Sequence, residues 1–390
     1  MSHMNEPYWV RLPHILTGDG TVKQTGEIAR NLGAKKALIV TDAGVAKAGL
    51  LDGIKESLEK ERIEFGVFEG CQPNTPIRTI KRCADLTRGG RYDILIGVGG
   101  GSVMDTAKLA AIAARGQNNE EDIKQYTVNG PPRRGLPKIL IPTTAGTGSE
   151  ASTAAVLTDN EGIVRGTRGE YIVADVAIVD PLMTLNLPPR LTAESGFDAF
   201  CHAFEAYTSP RAHRLSEALD EMTIRLIAEN LRPAYREGAK NPEARYKMTV
   251  AATYAMASVS MSQANLPHAM GHALQSVVNT SHGISLSVLL PHIMEFNLPA
   301  CPEKFARVAE LMGEKIEGLF LPDASLKGVA AVGQLIADIE LPQRLRDIGV
   351  KKEQIPRMVD ILFDINVRNV RGNPRPVTRE DAIRIFEAAW

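Results

Sequence analysis

The chain is 390 residues long, and 44% of these residues are hydrophobic. A chain of this length exceeds what one hydrophobic core usually supports, so we expect two domains. The charges nearly balance, with 45 lysines and arginines against 46 aspartates and glutamates. This balance argues against nucleic acid and membrane surfaces as partners, because both attract strongly basic proteins. A small molecule is the expected partner.

The four cysteines of the chain show no paired spacing: Cys71, Cys83, Cys201 and Cys301. A chain of this size needs no disulfide bonds, so we expect free thiols and a cytoplasmic protein. No apolar run approaches the roughly 18 residues that a membrane span needs, and the first residues lack a signal-peptide pattern. The residues ahead of Met4 resemble the remnant of an expression tag, so His3 is left out of the site predictions.

In the first half of the chain, short apolar runs alternate with helical patterns. Runs of Ile, Val and Leu that end in Gly, Thr, Asp or Pro are typical of strands buried on both faces of a parallel sheet. Four such strands are predicted, at residues 37–40, 92–98, 138–142 and 176–179. Helical spacing between them, as at 45–60 and 76–87, predicts a doubly wound α/β domain.

The pattern changes after the paired prolines Pro188 and Pro189. Strand-like runs largely stop, and stretches with a 3.6-residue apolar period, such as 216–231 and 242–262, predict a helical domain. We therefore predict domains of residues 1–188 and 189–390. Thr192 is expected to cap the first helix of the second domain.

A glycine-rich segment, Gly97-Val-Gly-Gly-Gly-Ser102, follows the second predicted strand and leads into a helical pattern. Glycines at such a turn let the backbone approach a pyrophosphate, whose charge the start of the helix stabilises. The usual G-x-G-x-x-G fingerprint of Rossmann domains is absent. Taken alone, the segment fits equally well with a turn that only serves strand-to-helix packing.

Two further strand ends carry polar groups. The segment 142–150 offers hydroxyls and glycines after the third strand, so two loops at neighbouring strand ends suit one extended ligand, a dinucleotide. Asp42 follows the first strand, where a carboxylate accepts hydrogen bonds from an adenosine ribose. It also repels a 2′-phosphate, which favours NAD over NADP. Capping of the next helix is a nearly equal alternative role for Asp42.

Histidines and one aspartate recur at helical spacing in the second half. Asp198 and His202 are four residues apart, as are His268 and His272, and His282 follows ten residues later. The spacing places each pair on one helix face. Imidazoles with one carboxylate suit Fe²⁺, Zn²⁺, Mn²⁺ or Co²⁺ better than Ca²⁺ or Mg²⁺. No cysteine has ligand spacing, which favours a catalytic metal over a structural zinc. Spacing alone leaves open which of His268 and His272 binds the metal.

Together these motifs resemble the iron-containing (group III) alcohol dehydrogenase family. The resemblance runs from about Pro13 to the stretch 373–378 near the end. It rests on the segments 99–108, 141–150, Asp198-x3-His202, His268-x3-His272-x9-His282-Gly and 289–297.

The resemblance implies a Rossmann-like, doubly wound α/β nucleotide-binding domain followed by an all-α domain, an architecture shared with dehydroquinate synthase. It also implies roles for individual residues. The four that take the metal-ligand positions are Asp198, His202, His268 and His282. His272 takes the position of a histidine near the nicotinamide that is not a ligand, and we consider a proton relay or a purely orienting contact for it. The expected cofactor contacts are Asp42, Asn74, Gly100, Gly101, Ser102, Val103, Met104, Asp105, Thr143, Thr144 and Thr147, with Arg165 near the place of a common lysine.

Two residues beside the metal motif depart from the family pattern. Ser281 stands before His282 where many members have proline, and Gln275 follows Leu274 where many have glycine. The ligand set is intact despite these changes. They are expected to reshape the substrate pocket.

The expected activity is NAD-dependent interconversion of a primary or small secondary alcohol or diol with its aldehyde or ketone. A divalent ion, Fe²⁺ with Zn²⁺, Mn²⁺ or Co²⁺ as alternatives, would polarise the substrate oxygen. A glycerol dehydrogenase-like or dehydroquinate synthase-like enzyme is the enzymatic alternative. A metal- or nucleotide-binding protein without turnover is another. The apolar segment from Tyr8 to Leu12 predicts pairing in a homodimer or a larger homo-oligomer.

Overall fold

A computed structural model describes residues 11–116 and 118–390 of the chain. The described residues form two compact units, a first unit of residues 11–187 and a second unit of residues 188–390. The segment from Tyr8 to Leu12 is predicted to pair across a dimer. Its first three residues, up to Val10, lie outside the described residues. None of the described helices combines the length and the apolar character that crossing a membrane requires.

The first unit contains eight strands and six α-helices among its described residues. The strands are β1 (His14–Thr17), β2 (Lys36–Val40), β3 (Glu64–Phe68), β4 (Ile94–Gly99), β5 (Lys138–Pro142), β6 (Ala154–Thr158), β7 (Val164–Arg168) and β8 (Val176–Val179). The helices are α1 (Thr25–Asn31), α2 (Ala43–Lys47), α3 (Asp52–Lys60), α4 (Ile77–Gly89), α5 (Gly101–Gly116) and α6 (Glu120–Asn129).

Six strands form a parallel sheet in the order β1-β8-β5-β4-β2-β3. Alternate residues of the central strands enter two separate cores: Leu38 and Val40 of β2 pack on one side, and Ala37 and Ile39 on the other. Helices therefore cover both faces, which confirms the doubly wound α/β prediction. Because the strands are parallel, β2, β4 and β5 end at one edge of the sheet.

The sequence pattern did not predict the two edge strands of the sheet, β1 and β3, or the antiparallel pair β6–β7. Strand β1 is mostly exposed and β3 only half-buried, so neither has the continuous apolar run of a central strand. The predicted helix at 45–60 is also wrong in detail. Its residues form α2 and α3, separated at Gly49, whose φ of 72° lies in the left-handed region and ends the helix there.

The second unit is helical throughout its labelled elements. Its helices are α7 (Pro189–Thr208), α8 (Arg214–Glu237), α9 (Pro242–Met261), α10 (Leu266–Gln275), α11 (His282–Ser287), α12 (Leu290–Asn297), α13 (Pro302–Leu311), α14 (Leu321–Asp338), α15 (Ile355–Ile365), α16 (Val367–Arg371) and α17 (Arg379–Ala389). The expected capping role of Thr192 is wrong. Helix α7 already begins at Pro189, and the Thr192 hydroxyl donates back to the carbonyl of Pro188 at 3.0 Å.

One buried carboxyl group of the second unit lies outside every predicted site. Asp220 on α8 is fully buried. Burial raises the pKa of Asp220 well above its ordinary value, against a smaller lowering by Ser258 and Lys304. The folded state thus keeps a proton that the unfolded chain releases above about pH 4. Stability linked to this group is present at low pH and is lost as the pH rises toward the folded-state pKa.

Candidate metal centre and cofactor loops

Helix α7 carries three functional side chains along one face. His202 lies one helical turn after Asp198, and Glu205 lies two turns after it, which aligns the three side chains. All three are buried. The helix is apolar on its other sides, and a helix with such a sequence stays in the interior of a domain.

Helices α10 and α11 bring two more histidines to this face of α7. His268 lies in the first turns of α10, and His282 is the first residue of α11. Gly283 permits the approach of α11, because a Cβ on it would lie 2.1 Å from the carbonyl oxygen of Glu194 on α7. A larger residue there would push His282 away from α7.

The side chains converge on one oxygen atom of Asp198. Its Oδ1 lies 3.5 Å from Nε2 of His268, 3.6 Å from Nε2 of His282 and 3.8 Å from Nδ1 of His202. The ligand atoms of Asp198, His268 and His282 all lie within 4.8 Å of one another. Two ligands bonded to one ion at about 2.1 Å with tetrahedral geometry are roughly 3.4 Å apart, so the spacing fits a divalent transition metal.

Glu205, which no sequence motif indicated, holds the ring of His268. One carboxylate oxygen of Glu205 contacts Nδ1 of His268, and the other accepts a hydrogen bond from the backbone N–H of Asn265 at 2.6 Å. A carboxylate only accepts, so Nδ1 carries a hydrogen and Nε2 is the nitrogen turned toward Asp198. The available signal was helical spacing, since Glu205 shares a face of α7 with two predicted ligands.

The electrostatics of the cluster also fit a cation. Burial would lower the pKa of His268, but the carboxylates of Glu205 and Asp198 raise it to about 10. Burial would raise the pKa of Asp198, but the surrounding imidazoles hold it below its usual range. Oδ1 of Asp198 and Nε2 of His268 are buried and have no hydrogen-bond partner among the described residues. A divalent ion can replace the proton on His268, because ligation requires the neutral ring.

His272 lies beside the cluster. Its ring centroid is 5.3 Å from that of His282 and 6.2 Å from that of His268. Burial and these two rings lower the pKa of His272 well below its ordinary value, against an opposing hydrogen bond with Asn366. The ring is therefore neutral near pH 7. Neither His202 nor His272 is among the three residues whose ligand atoms cluster, so the place of His202 inside the ligand set and that of His272 outside it both stay predictions.

In the first unit, the predicted cofactor loops meet at the edge where β4 and β5 end. A Cβ on Gly101 would lie 2.8 Å from the Thr147 methyl, and one on Gly100 would lie 3.4 Å from the Thr144 methyl. The backbone N–H of Thr143 donates to the carbonyl of Gly99 at 3.1 Å. The two loops thus form one continuous surface.

A third segment joins this surface, because the backbone N–H of Asn74 donates to Oγ of Ser102 at 3.1 Å. The Thr144 hydroxyl is buried and has no hydrogen-bond partner among the described residues. Helix α5 begins at Gly101, and the first amides of a helix lack acceptors within it and attract anions. An unpaired hydroxyl beside glycine backbone and a helix start fits a phosphate-bearing cofactor.

Several predicted cofactor residues have other contacts in the structure. Val103 and Met104 are buried in a core. Asp105 binds inward, accepting hydrogen bonds from Ser149 at 2.6 Å, from Lys108 at 3.2 Å and from a backbone N–H of β6 at 2.8 Å. These three residues therefore support the loop from inside.

The side chains of Arg165 and Asp42 also have partners. Arg165 pairs with Asp159 at 2.6 Å, so its guanidinium neutralises a carboxylate of this chain. Asp42 caps α2, and its Oδ1 accepts from the backbone N–H groups of Gly44 at 2.8 Å and Val45 at 3.0 Å. Asp42 therefore has the capping role that was the alternative to a cofactor contact. If it also binds a ribose, the same carboxylate must accept those hydrogen bonds while it caps α2.

Comparison with known proteins matches both units. The model of the family "Iron-containing alcohol dehydrogenase" matches residues 13–181. That of "Fe-containing alcohol dehydrogenase family, C-terminal" matches residues 192–390. The chain is 39% identical to 1,3-propanediol dehydrogenase of Klebsiella pneumoniae, with 96% of each chain covered. It is 35% identical to sulfoacetaldehyde reductase of Bilophila wadsworthia, again with 96% of each covered.

A solved structure of a 1,3-propanediol oxidoreductase superposes with a TM-score of 0.93 at 36% identity, covering 99% of this chain and 100% of that one. The fold and the carboxylate–imidazole cluster thus belong to a metal-dependent class of oxidoreductase. With both halves matched, the chain belongs to the iron-containing alcohol dehydrogenase family. It is an iron-type alcohol dehydrogenase, as the sequence motifs predicted.

Proposed function

We propose that this enzyme interconverts short primary alcohols or diols and their aldehydes with NAD, using a divalent ion held by Asp198, His202, His268 and His282. The observation that carries the metal assignment is the convergence of Nε2 of His268 and of His282 on Oδ1 of Asp198 at 3.5 and 3.6 Å. Acceptor groups gathered this closely in a buried site call for a cation between them.

A bound ion would supply Lewis-acid stabilisation of the substrate oxygen, and a bound nicotinamide would accept or donate the hydride. The residues of the chain supply position and charge. Asp198 contributes the negative charge among the ligands, and Glu205 turns Nε2 of His268 toward it. Fe²⁺ is proposed as the ion, with Zn²⁺, Mn²⁺ and Co²⁺ as alternatives that the same donor set accommodates.

We assign the proton step to His272. Its ring centroid lies 5.3 Å from that of the proposed ligand His282, so an imidazole stands beside the proposed metal site, where it can relay the proton that an alcohol releases when it is oxidised. His272→Ala should lower kcat by about 100-fold, the smaller end of what such groups contribute. Metal affinity should stay unchanged, measured by titration of the metal-free protein. Equal losses of metal affinity and activity would instead assign His272 to the ligand set.

The cofactor is proposed to lie on the loop surface made by Gly100, Gly101, Ser102, Thr144 and Thr147. Glycines let these two loops pack closely against each other beside the start of α5, and the free amides of a helix start attract a pyrophosphate. Asp42 at the end of β2 supports NAD over NADP, because its charge would repel a 2′-phosphate.

The substrate range is supported by the names of two relatives, 1,3-propanediol dehydrogenase and sulfoacetaldehyde reductase. Both names denote small alcohols or aldehydes that carry a second polar group. We therefore propose a short alcohol or diol as the substrate of this chain, and we place the protein in the cytoplasm as a homo-oligomer. The free state of all four cysteines is consistent with a reducing compartment.

The test is NADH formation from a panel of short alcohols and diols after reconstitution with Fe²⁺ or Zn²⁺. Net NADH is expected from at least one of them. A dehydroquinate synthase-like enzyme would give none, because its nicotinamide is regenerated within each turnover. His268→Ala should abolish activity and retain NAD binding. The proposal fails if the parent protein oxidises no alcohol and reduces no aldehyde with any of the four metals.

A further inference from the structure

Gln275 bridges a metal-binding histidine and the loop between two helices. It is the last residue of α10, and its Oε1 lies 2.9 Å from Nδ1 of His282, the first residue of α11. Its Nε2 donates to the backbone carbonyl of Thr280 at 3.3 Å. The amide thus contacts both the imidazole ring and the chain segment that leads to it.

These two contacts determine how the amide and the ring are oriented. The Thr280 carbonyl can only accept, so the NH₂ group of Gln275 must face it and the amide oxygen must face the ring. That oxygen also only accepts, so Nδ1 of His282 must carry the hydrogen. Nε2 of His282 then has no hydrogen and carries a lone pair, and it lies 3.6 Å from Oδ1 of Asp198.

We propose that Gln275 is a positioning residue of the metal centre, which holds His282 in the tautomer and orientation that bind the ion. Metal-binding histidines generally donate their second N–H to such an acceptor, and loss of the acceptor weakens metal binding about 10- to 100-fold. The inference rests on the metal site of the proposed function. It adds a residue to which the family pattern gives no such role, because many members have glycine at this position.

His268, which Glu205 holds, and His282, which Gln275 holds, differ in their surroundings. His268 is almost fully buried and contacts the charged carboxylate of Glu205, whereas His282 is 26% exposed and contacts a neutral amide. A neutral acceptor makes a ring less basic than a carboxylate does. We therefore expect His282 to be the weaker of the two ligands and Gln275 to limit how firmly it is held.

A purely structural role would act through Thr280 alone, and two variants separate the roles. Gln275→Leu removes both the acceptor for His282 and the donor for Thr280. Gln275→Glu keeps an acceptor for His282 and loses the donor. If Gln275 acts through His282, the leucine variant loses affinity and the glutamate variant retains it. If Gln275 only fixes the loop, both variants lose affinity alike.

The experiment titrates metal-free protein with Co²⁺ in competition with a chromophoric chelator, and it records the visible ligand-field spectrum of bound Co²⁺. We expect Gln275→Leu to bind Co²⁺ about 10- to 100-fold more weakly than the parent, with an altered spectrum. Gln275→Glu should bind at least as tightly as the parent. Circular dichroism and the melting temperature of the metal-free proteins show whether each variant folds.

A matched control is Gln334→Leu. Gln334 donates a hydrogen bond to Asp338 one turn along α14, at 2.8 Å, so this variant loses a glutamine contact of the same unit. It should bind Co²⁺ like the parent. Unchanged affinity in Gln275→Leu, or equal losses in both Gln275 variants, overturns the positioning role while the metal site stands. If the parent binds no Co²⁺, the proposed function fails together with this inference.

Discussion

Glu205 should be essential to the metal centre, although it is not a ligand. In Glu205→Gln the side-chain volume stays the same, but the amide has one oxygen where the carboxylate has two. The present carboxylate serves two donors, Nδ1 of His268 and the backbone N–H of Asn265. The glutamine can serve only one of them, and its NH₂ group then faces the other donor.

The expected loss follows from this geometry. An unsatisfied donor at a fully buried position costs about 1 to 3 kcal/mol. If the His268 ring loses its acceptor, the tautomer with hydrogen on Nε2 becomes populated, and that nitrogen no longer presents a lone pair to the metal. Loss of such a contact to a ligating histidine weakens metal binding about 10- to 100-fold, or roughly 1.4 to 2.8 kcal/mol.

Two measurements test this expectation. Titration of the metal-free protein with Zn²⁺ against a competing chelator gives the dissociation constant, and melting curves with and without Zn²⁺ give the stabilisation by metal. Glu221→Gln is the control, since its carboxylate pairs with Arg307 at 2.7 Å in the same unit. If Glu205→Gln both binds Zn²⁺ as tightly as the parent does and melts at the same temperature without metal, the role of Glu205 as an acceptor for two donors is wrong.

Three further variants test other parts of the structure. Asp42→Ser keeps an oxygen to cap α2 and removes the charge, so the ratio of kcat/KM for NADH over NADPH should fall; an unchanged ratio rules out charge repulsion as the basis of NAD preference. Lys108→Met leaves the inward-facing carboxylate of Asp105 without its cation, which should cost about 3 to 5 kcal/mol and weaken NAD binding; a parent-like melting temperature would contradict this. Asp220→Asn removes the buried proton, so stability should decline less between pH 5 and 8 than in the parent, by about 1.4 kcal/mol for each pH unit over which the folded carboxyl stays protonated. Parallel pH profiles of the free energy of unfolding would refute the account of Asp220.

The sequence predicted the central sheet because buried parallel strands have continuous apolar runs, as in β2 and β5. It missed β1 and β3 because edge strands are half-exposed and lack such runs. Strands of this kind are recognised only from their partners, and pairing joins residues far apart in the chain.

The candidate site divides in a similar way. Spacing on one helix brought Asp198 and His202 together, because helical periodicity alone places them on one face. Contacts between different helices could not be predicted from spacing. The contact of Glu205 with His268 joins residues that are far apart in the sequence. The glycine-rich motif singled out Asp105 but did not indicate which way its side chain points. In the structure its carboxylate points into the domain and binds Lys108 and Ser149.

The proposed ligands come from α7 and from the pair α10 and α11, which begins nearly 60 residues after α7 ends, at Leu266 against Thr208. An ion bound to all three would tie them together only in the folded state, so free energy of binding becomes free energy of folding. At a free metal concentration about 100 times the dissociation constant, the gain is about 2.7 kcal/mol. A cell short of the metal would then lose this enzyme to proteolysis as well as to inactivity, and its abundance would follow the metal supply.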